Sequence, residues 1–252
     1  MSRPALSLVV PAYDEGARLE RTFAGIRAWR AQPPCAPVEV VLVDDGSQDD
    51  TLARFRAFAA CEPDVVIVAN EHRGKGYAVR SGVLAASGER VLFSDADLSA
   101  PLGEARHLLR ALEEGADVAI GSREVAGSSR EREPGYRHLL GRGFNWLVQA
   151  ALVPGVQDTQ CGFKMFRREA AQEVFTRLRR YGEDAPPVEG PMVTAFDVEV
   201  LYLARRLGYR IAEVPVRWIH AEGSKVRPVV DALRMARDVA QVRWGAWRGD
   251  YE

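Results

Sequence analysis

Two carboxylates one residue apart, Asp95 and Asp97 in Val91-Leu92-Phe93-Ser94-Asp95-Ala96-Asp97-Leu98, are the side chains of this sequence best placed to do chemistry. They follow an apolar run that reads as a strand, and alternation along an extended backbone sets both on one side where the strand leaves its sheet. Such a pair either ends a strand in water or holds a hard divalent cation. Mg²⁺ or Mn²⁺ takes carboxylate oxygens and keeps its other positions for water and phosphate. Cations of the chain's own are distributed unusually: of 34 Lys and Arg residues only Lys75, Lys164 and Lys225 are lysine. They sit in Gly-Lys-Gly, Gly-Phe-Lys and Gly-Ser-Lys, where a compact ammonium can approach a phosphate as a point charge; chance placement is the alternative.

The elements that must position these groups are legible from periodicity. Leu6 to Val10 is a short buried strand that stops at Pro11, and Pro11-Ala12-Tyr13-Asp14-Glu15-Gly16 turns into a helix through about Trp29. Val38 to Val43 is a second strand ending in Asp44-Asp45-Gly46-Ser47, and Asp49-Asp50-Thr51 caps a helix through about Ala60. A third strand from Asp64 to Ala69 leads to Gly74-Lys75-Gly76, which opens a helix through Ala86; Arg90 to Ser94 is the fourth strand. This order predicts a doubly wound parallel sheet, in which ligands bind at the carboxyl ends of the strands. Asp14, Asp44, Asp45, Asp95 and Asp97 all fall on that edge, facing the Gly-Lys-Gly loop. A phosphate-bearing ligand with a metal fits them better than a merely solvated rim.

Further on, a helix from about Pro101 to Glu114 precedes a strand, Asp117 to Gly121, that delivers Ser122-Arg123 to the same rim. Residues 124–135 read as a loop beside the site, a lid candidate. Tyr136 to Leu152 reads as a helix whose apolar surface around Trp146 either packs in the core or faces lipid. Asp158 to Phe166 is a polar turn feeding a strand, followed by a helix through about Leu178 and a polar insert, 179–194. Phe196-Asp197-Val198-Glu199 starts another helix, where acids in the first turn suit the dipole. Ile211 to Trp218 reads as an edge strand because Pro215 lies inside it. The last helix, from about Pro228, is basic and amphipathic, with Arg234, Arg237 and Arg243 beside Leu233, Trp244 and Trp247; it either covers the sheet or lies on an anionic membrane.

Composition excludes several classes. A net charge of −1 and an acidic cleft argue against a nucleic-acid binder. There is no G-x-x-x-x-G-K-[ST], and Gly141-Arg142-Gly143 does not follow a strand, so neither a P-loop nor a dinucleotide fingerprint is present. Three dispersed cysteines suit a reducing compartment. No run approaches the roughly 20 apolar residues of a membrane span, and Met1-Ser2-Arg3-Pro4 leads directly into a strand. The expectation is a cytoplasmic chain, soluble or peripheral on the membrane's cytoplasmic face.

Taken together, the motifs resemble the inverting family-two glycosyltransferases of GT-A fold, and within them the polyprenyl-phosphate hexose synthases. The likeness runs from Val9-Val10-Pro11-Ala12-Tyr13-Asp14-Glu15 through Val43-Asp44-Asp45-Gly46-Ser47, Gly74-Lys75-Gly76, Ser94-Asp95-Ala96-Asp97 and Gly121-Ser122-Arg123 to Glu222-Gly223-Ser224-Lys225. Asp158-Thr159-Gln160-Cys161-Gly162-Phe163-Lys164 and Phe196-Asp197-Val198-Glu199 are the more specific blocks and point to the glucose branch, the dolichyl-phosphate β-glucosyltransferases. The resemblance implies an α/β GT-A (nucleotide-diphospho-sugar transferase) fold, a Rossmann-like, mostly parallel sheet flanked by helices. It implies a catalytic domain over 1–225, with 226–252 a C-terminal amphipathic helix. The implied reaction moves a hexose, glucose from UDP-glucose, with inversion onto a polyprenyl or dolichyl phosphate, using Mg²⁺ or Mn²⁺. GDP-mannose as donor, a soluble acceptor and a non-catalytic nucleotide-sugar binding module stay open.

Carried over by position, the resemblance implies that Pro11, Ala12, Tyr13 and Glu15 border the nucleobase and ribose, with Asp44 or Asp45 bonding to one of them. Lys75 lies near the nucleotide. Asp95 and Asp97 hold the sugar and the metal-bound diphosphate, with Arg123 and Lys225 near phosphates. Asp158, Gln160 and Asp197 fall around sugar and acceptor, Asp197 orienting the acceptor more than deprotonating it. Eukaryotic members of the glucose branch carry an N-terminal membrane anchor, which this chain does not show.

Overall fold

The structure is a computed structural model that describes residues 3–131, 148–149, 152–190, 192, 194–220 and 228–251. Its centre is a seven-stranded sheet built from β1 (Leu6–Ala12), β2 (Val38–Asp44), β3 (Val65–Ala69), β4 (Arg90–Ser94), β5 (Val118–Ser122), β7 (Phe163–Arg167) and β8 (Ile211–Pro215). The spatial order is β3-β2-β1-β4-β7-β5-β8, and only β7 runs antiparallel to its neighbours. β6 (Ser129–Glu131) and β9 (Arg217–Ile219) form a separate parallel pair. The helices are α1 (Leu19–Arg30), α2 (Thr51–Cys61), α3 (Lys75–Ala85), α4 (Ala105–Glu113), α5 (Arg168–Thr176), α6 (Phe196–Arg206) and α7 (Pro228–Arg248).

β1 and β2 are apolar nearly throughout between their end residues because both faces of these strands are covered, and the two polar exceptions, Ser7 and Glu39, hydrogen-bond to each other at 2.5 Å. Alternation sorts their side chains into two cores. Val9, Val41, Val43 and Phe93 face the core that includes residues of α3, α5, α6 and α7. Leu8, Val10, Leu42 and Leu92 face the one closed by α1, α2 and α4. Close approach on the first face depends on Gly82, where a Cβ would lie 2.5 Å from Val9 Cγ1 and 2.6 Å from Val43 Cγ2.

Four sequence expectations are corrected. β1 does not stop at Pro11 but continues to Ala12, in register with Asp44. The Ala12 carbonyl accepts from Asp45 N–H on the β2 side; by alternation Pro11 turns its nitrogen toward β4, whose pairing ends at Val9↔Phe93, so the missing N–H breaks no ladder bond. The presumed lid, 124–135, contains strand β6, stabilised by pairing with β9; its residues 132–135 lie outside the described residues. The predicted strand Ile211–Trp218 is two strands in two sheets, broken at Val216, although β8 is an edge strand as expected. Finally, Asp95 and Asp97 are brought together by a turn rather than by strand alternation: β4 ends at Ser94, Leu98 N–H donates to the Asp95 carbonyl at 3.1 Å, and Leu98 has φ 50°. The predicted helix 136–152, with the aromatic surface around Trp146, lies outside the described residues except at its end, where Val148 and Leu152 are buried.

The second acid of the Phe196-Asp197-Val198-Glu199 block proves to be an anchor. Glu199 is fully buried in α6 and accepts from Arg179 N–H (2.9 Å), Arg180 N–H (3.0 Å), Tyr181 N–H (3.3 Å) and the Tyr251 hydroxyl (2.8 Å). It fastens the start of the polar insert and the chain's last turn to the helix that carries Asp197. We expect Glu199→Gln to destabilise the fold by about 2–3 kcal/mol in denaturant titration, because an amide NH₂ would face donors it cannot satisfy. A loss below about 0.5 kcal/mol would show that the turn is held elsewhere.

Candidate active site

A cleft of about 230 Å³ opens at the carboxyl ends of β1, β2 and β4, lined by Pro11, Ala12, Tyr13, Glu15, Asp45, Lys75, Asp95 and Asp97 among others. Eight of the residues singled out by sequence therefore share one surface. The β1–β2 register ends at Ala12↔Asp44, which sets Tyr13 and Asp14 beside Asp45. The two loops are then sewn together. Asp14 N–H donates to Ser47 Oγ (3.0 Å), Asp14 Oδ1 accepts from Gln48 N–H (2.8 Å), Glu15 N–H donates to Thr51 Oγ1 (3.0 Å) and Gly16 N–H to Asp49 Oδ2 (2.9 Å). Asp14, in the left-handed region at φ 50°, is thus part of the loop's construction and not of the cleft wall.

Asp45 organises the next loop. Its Oδ1 accepts from Arg73 N–H (3.1 Å), and its Oδ2 accepts from Gly74 N–H (2.9 Å) and meets His72 Nδ1 at 2.8 Å. Burial raises the Asp45 pKa, although these bonds oppose the rise. His72 lies flat against Tyr13, ring centroids 3.8 Å apart and planes 7° apart, so the two rings make an aromatic plate at this end of the cleft. Asp44 is outside the lining, yet its Oδ1 is buried without a hydrogen-bond partner among the described residues.

At the other end, Lys75 opens α3 and its Nζ lies 2.5 Å from Asp95 Oδ1. Burial works against the ammonium, but attraction to Asp95 and then Asp197 outweighs it, and the Lys75 pKa is raised. Asp97 accepts from Ser99 N–H at 2.9 Å; its pKa is raised first by burial and then by the charge of Asp95. Two crowded carboxylates with one lysine shared between them carry surplus negative charge that a hard cation relieves, so the donor set fits Mg²⁺ or Mn²⁺ held by Asp97 with Asp95, the remaining positions left to water and phosphate oxygens. Among the described residues no group of three or more His, Cys, Asp or Glu converges as a protein cage. The N-terminus of α3, Gly74 and Lys75, lines the same cleft as the pair, and its positive end favours negative charge there.

The residues predicted around sugar and acceptor do not line this cleft. Asp158 is buried and takes Arg123 in a two-point pair, Nε–Oδ2 2.7 Å and Nη2–Oδ1 2.8 Å, with Arg123 N–H also on Oδ2 at 2.9 Å. Burial pushes the Asp158 pKa up, and the guanidinium more than reverses it, leaving it lowered. Arg123 also sits over the Trp218 ring at 5.3 Å. Gln160 has a buried Nε2 without a hydrogen-bond partner among the described residues. Asp197, 3% exposed, accepts from Lys164 Nζ at 2.5 Å. The expectation that Lys164 meets a phosphate fails on burial: the side chain is sealed at 0% exposure and its Nζ also donates to the Cys161 carbonyl. Lys225 lies outside the described residues.

Gly162 shows why this block is placed where it is. β4 and β7 pair up to Ser94↔Phe163, so Gly162 falls opposite Asp95, whose N–H donates to its carbonyl at 3.1 Å. A Cβ on Gly162 would stand 2.2 Å from Asp95 Oδ2. Sequence reasoning missed His72, Arg18, Ala78 and Met192 in the lining. Only His72 carried a usable signal, its position just after the third strand on the ligand-binding edge.

Known proteins agree with this architecture. The Glycosyl transferase family 2 profile matches residues 7–175. The chain is 38% identical to a dolichyl-phosphate β-glucosyltransferase of Drosophila melanogaster, over 96% of this chain and 77% of that one. It is 36% identical to the Homo sapiens protein of the same name, again over 96% and 77%. Among solved structures, glucosyl-3-phosphoglycerate synthase of Mycobacterium tuberculosis in complex with UDP superposes with a TM-score of 0.63 at 24% identity, covering 96% of this chain and 79% of that one. The mannosyltransferase PcManGT of Pyrobaculum calidifontis in complex with GDP-Man and Mn²⁺ gives 0.61 at 23% identity, covering 98% and 65%. A GT-A sheet with its acids and Gly-Lys-Gly loop on the ligand edge, matched by the family profile from β1 to α5, makes this chain a member of glycosyltransferase family 2.

Proposed function

We propose that the chain transfers glucose from UDP-glucose, with inversion, to a polyprenyl phosphate of the dolichyl type, and that the cleft between the Tyr13–His72 plate and the Asp95–Asp97 pair holds the donor. The observation that carries the donor reading is the joining, in one cleft, of an aromatic plate beside Asp45 and a lysine-flanked carboxylate pair at a helix N-terminus. A nucleoside diphosphate has the matching parts in the matching order, a flat base and then charged phosphates. The acceptor reading is supported by the relatives at 38% and 36% identity.

In this reading the donor's anomeric C–O bond breaks toward the diphosphate while an acceptor phosphate oxygen bonds to the same carbon from the opposite face. Lys75 and the first N–H groups of α3 stand where the leaving diphosphate gains negative charge, the term that contributes most to such catalysis. Asp95 and Asp97 would hold Mg²⁺ or Mn²⁺, which when bound neutralises the diphosphate. A phosphate monoester has a second pKa of about 6, so the acceptor arrives largely ionised and needs little general-base help. The role that suits Asp197 is then positional. Set between Lys164 and Lys75, it fixes the charge of the first and steers the second toward the diphosphate.

Labelled transfer to a polyprenyl phosphate from UDP-glucose and, separately, GDP-mannose tests this directly. Glucolipid formed from UDP-glucose and abolished by chelator is expected; mannolipid from GDP-mannose alone would reassign the donor, and no lipid product from either would remove the acceptor. Metal binding has its own readout. Mg²⁺ or Mn²⁺ should raise the melting temperature of the wild type, and by less on the acid side of neutrality, because the raised pKa of Asp97 makes protons compete with the metal at higher pH than for an ordinary carboxylate. Asp97→Ala should lose both that shift and transfer while keeping the fold; an unchanged metal shift would take Asp97 out of the site. For the buried pair we expect Asp197→Asn to cost about 3 kcal/mol by stranding Lys164, with much of the loss recovered in Asp197→Asn/Lys164→Met. Additive losses in the double variant would mean the two charges are not coupled.

A further inference from the structure

Four large apolar side chains are conspicuously exposed among the described residues, and three of them ride on α7: Leu233 at 69%, Trp244 at 59% and Trp247 at 76%. Leu233, Ala240, Trp244 and Trp247 fall at i, i+7, i+11 and i+14, one outward stripe of the helix. The opposite side is fully used, since Val239 and Val242 are buried in the core. The stripe is therefore not the helix's packing face. Exposed arginines flank it, Arg237 and Arg248 along one side and Arg243 along the other. Between 233 and 248 the helix holds a single acid, Asp238, and that is turned inward at 2% exposure. Of the three arginines, Arg248 is the one with an acid in reach among the described residues, Asp250 at 3.9 Å, a solvent-exposed pair that competes weakly with another anion.

We infer that this face of α7 is a docking surface for an anionic bilayer, the indole pair entering the headgroup layer and the arginines meeting lipid phosphates. The charge pattern selects this occupant. A second copy of the chain, packed face to face about a two-fold axis, would bring arginine rows against arginine rows, with no outward acid between 233 and 248 to neutralise them. An anionic lipid surface offers the opposite charge on both sides of the stripe and an apolar interior beneath it. Tryptophan suits that boundary, with an apolar body and one polar N–H. Trp244 and Trp247 lie 5.2 Å apart between ring centroids, so they enter as one wedge.

Docking there would orient the catalytic domain, because α7 is rigidly joined to the site. Asp238 accepts from the Tyr181 hydroxyl (2.8 Å), Arg180 Nη2 (2.5 Å) and Ala195 N–H (3.1 Å), and Ala195 immediately precedes the helix that carries Asp197. This consequence rests on the lipid acceptor proposed above; the surface itself does not.

Co-sedimentation of the full chain with vesicles of phosphatidylglycerol and phosphatidylcholine, against phosphatidylcholine alone, tests the surface. The wild type should pellet with the anionic vesicles and blue-shift its tryptophan emission. Arg237→Gln/Arg243→Gln/Arg248→Gln should weaken binding about a hundredfold, each arginine near a charged surface being worth about fivefold. Trp244→Ser/Trp247→Ser should lose the blue shift. Wild type that stays in the supernatant, or variants that bind as the wild type does, would overturn the inference, as would light scattering showing a dimer that the tryptophan variant dissociates. Transfer to a short-chain polyprenyl phosphate in detergent, which needs no bilayer, separates the two proposals. If it fails in the wild type the acceptor reading falls while vesicle binding stands; if it survives in both variants, their loss is one of docking.

Discussion

Two carboxylates cannot be sunk into the edge of a sheet without cations beside them, and the local order Asp97, Asp95, Lys75, Asp197, Lys164 supplies charge of alternating sign once past the first pair. Lys75 closes on Asp95 and Lys164 on Asp197, each at 2.5 Å, and Lys75 is drawn by both acids. Apart from Asp95 and Asp97, which share the turn after β4, each member comes from a different element, so the series is also a set of tertiary restraints. The exception is the Asp95–Asp97 step, where two like charges are neighbours and burial penalises Asp97 further. A folded chain that tolerates this step keeps a place where added positive charge is favourable, the property on which the proposed metal site rests.

The approach of the elements that carry this series is set by missing side chains. Gly76 lets α3 lie against the start of α6, since a Cβ there would meet Phe196 Cβ and Tyr181 Cδ1 at 2.7 Å. Gly162 does the same beneath the Asp95 carboxylate. In both places a neighbour's side chain occupies the volume a methyl group would need, Phe196 and Tyr181 at Gly76 and the Asp95 carboxylate at Gly162. Gly74 has a different function: at φ 89° it turns the chain into α3 so that the first helical residue is the lysine.

What the sequence makes legible follows from the range of the interactions. β1, β2 and β4 are readable because both faces are buried and the strands are apolar nearly throughout between their end residues, Ser7 and Glu39 excepted, and the acids that follow them are readable as edge residues for the same reason. Asp95 with Asp97, Gly74 with Lys75, and Tyr13 with Glu15 are local pairs whose geometry a strand end or helix start determines. His72 and Glu199 were hidden because their roles are set by partners far along the chain: His72 by Tyr13 and Asp45, Glu199 by Arg179 to Tyr181 and by Tyr251. Strand β6 was hidden because its three residues, Ser129-Arg130-Glu131, acquire their conformation only from β9, some ninety positions on in the chain.

The Asp158-Thr159-Gln160-Cys161-Gly162-Phe163-Lys164 block invites reading as a row of ligand contacts, and its geometry points to another use for most of it. Asp158 holds Arg123 at the end of β5, Cys161 lends its carbonyl to Lys164, Gly162 makes room for Asp95, Phe163 pairs with Ser94, and Lys164 pairs with Asp197. Burial pushes the Cys161 thiol up to about 12, as befits a packed side chain and not a nucleophile. A segment so committed to its neighbours fixes where Asp95, Arg123 and Asp197 stand. The Gln160 Nε2, buried without a hydrogen-bond partner among the described residues, stands apart from these fixed contacts.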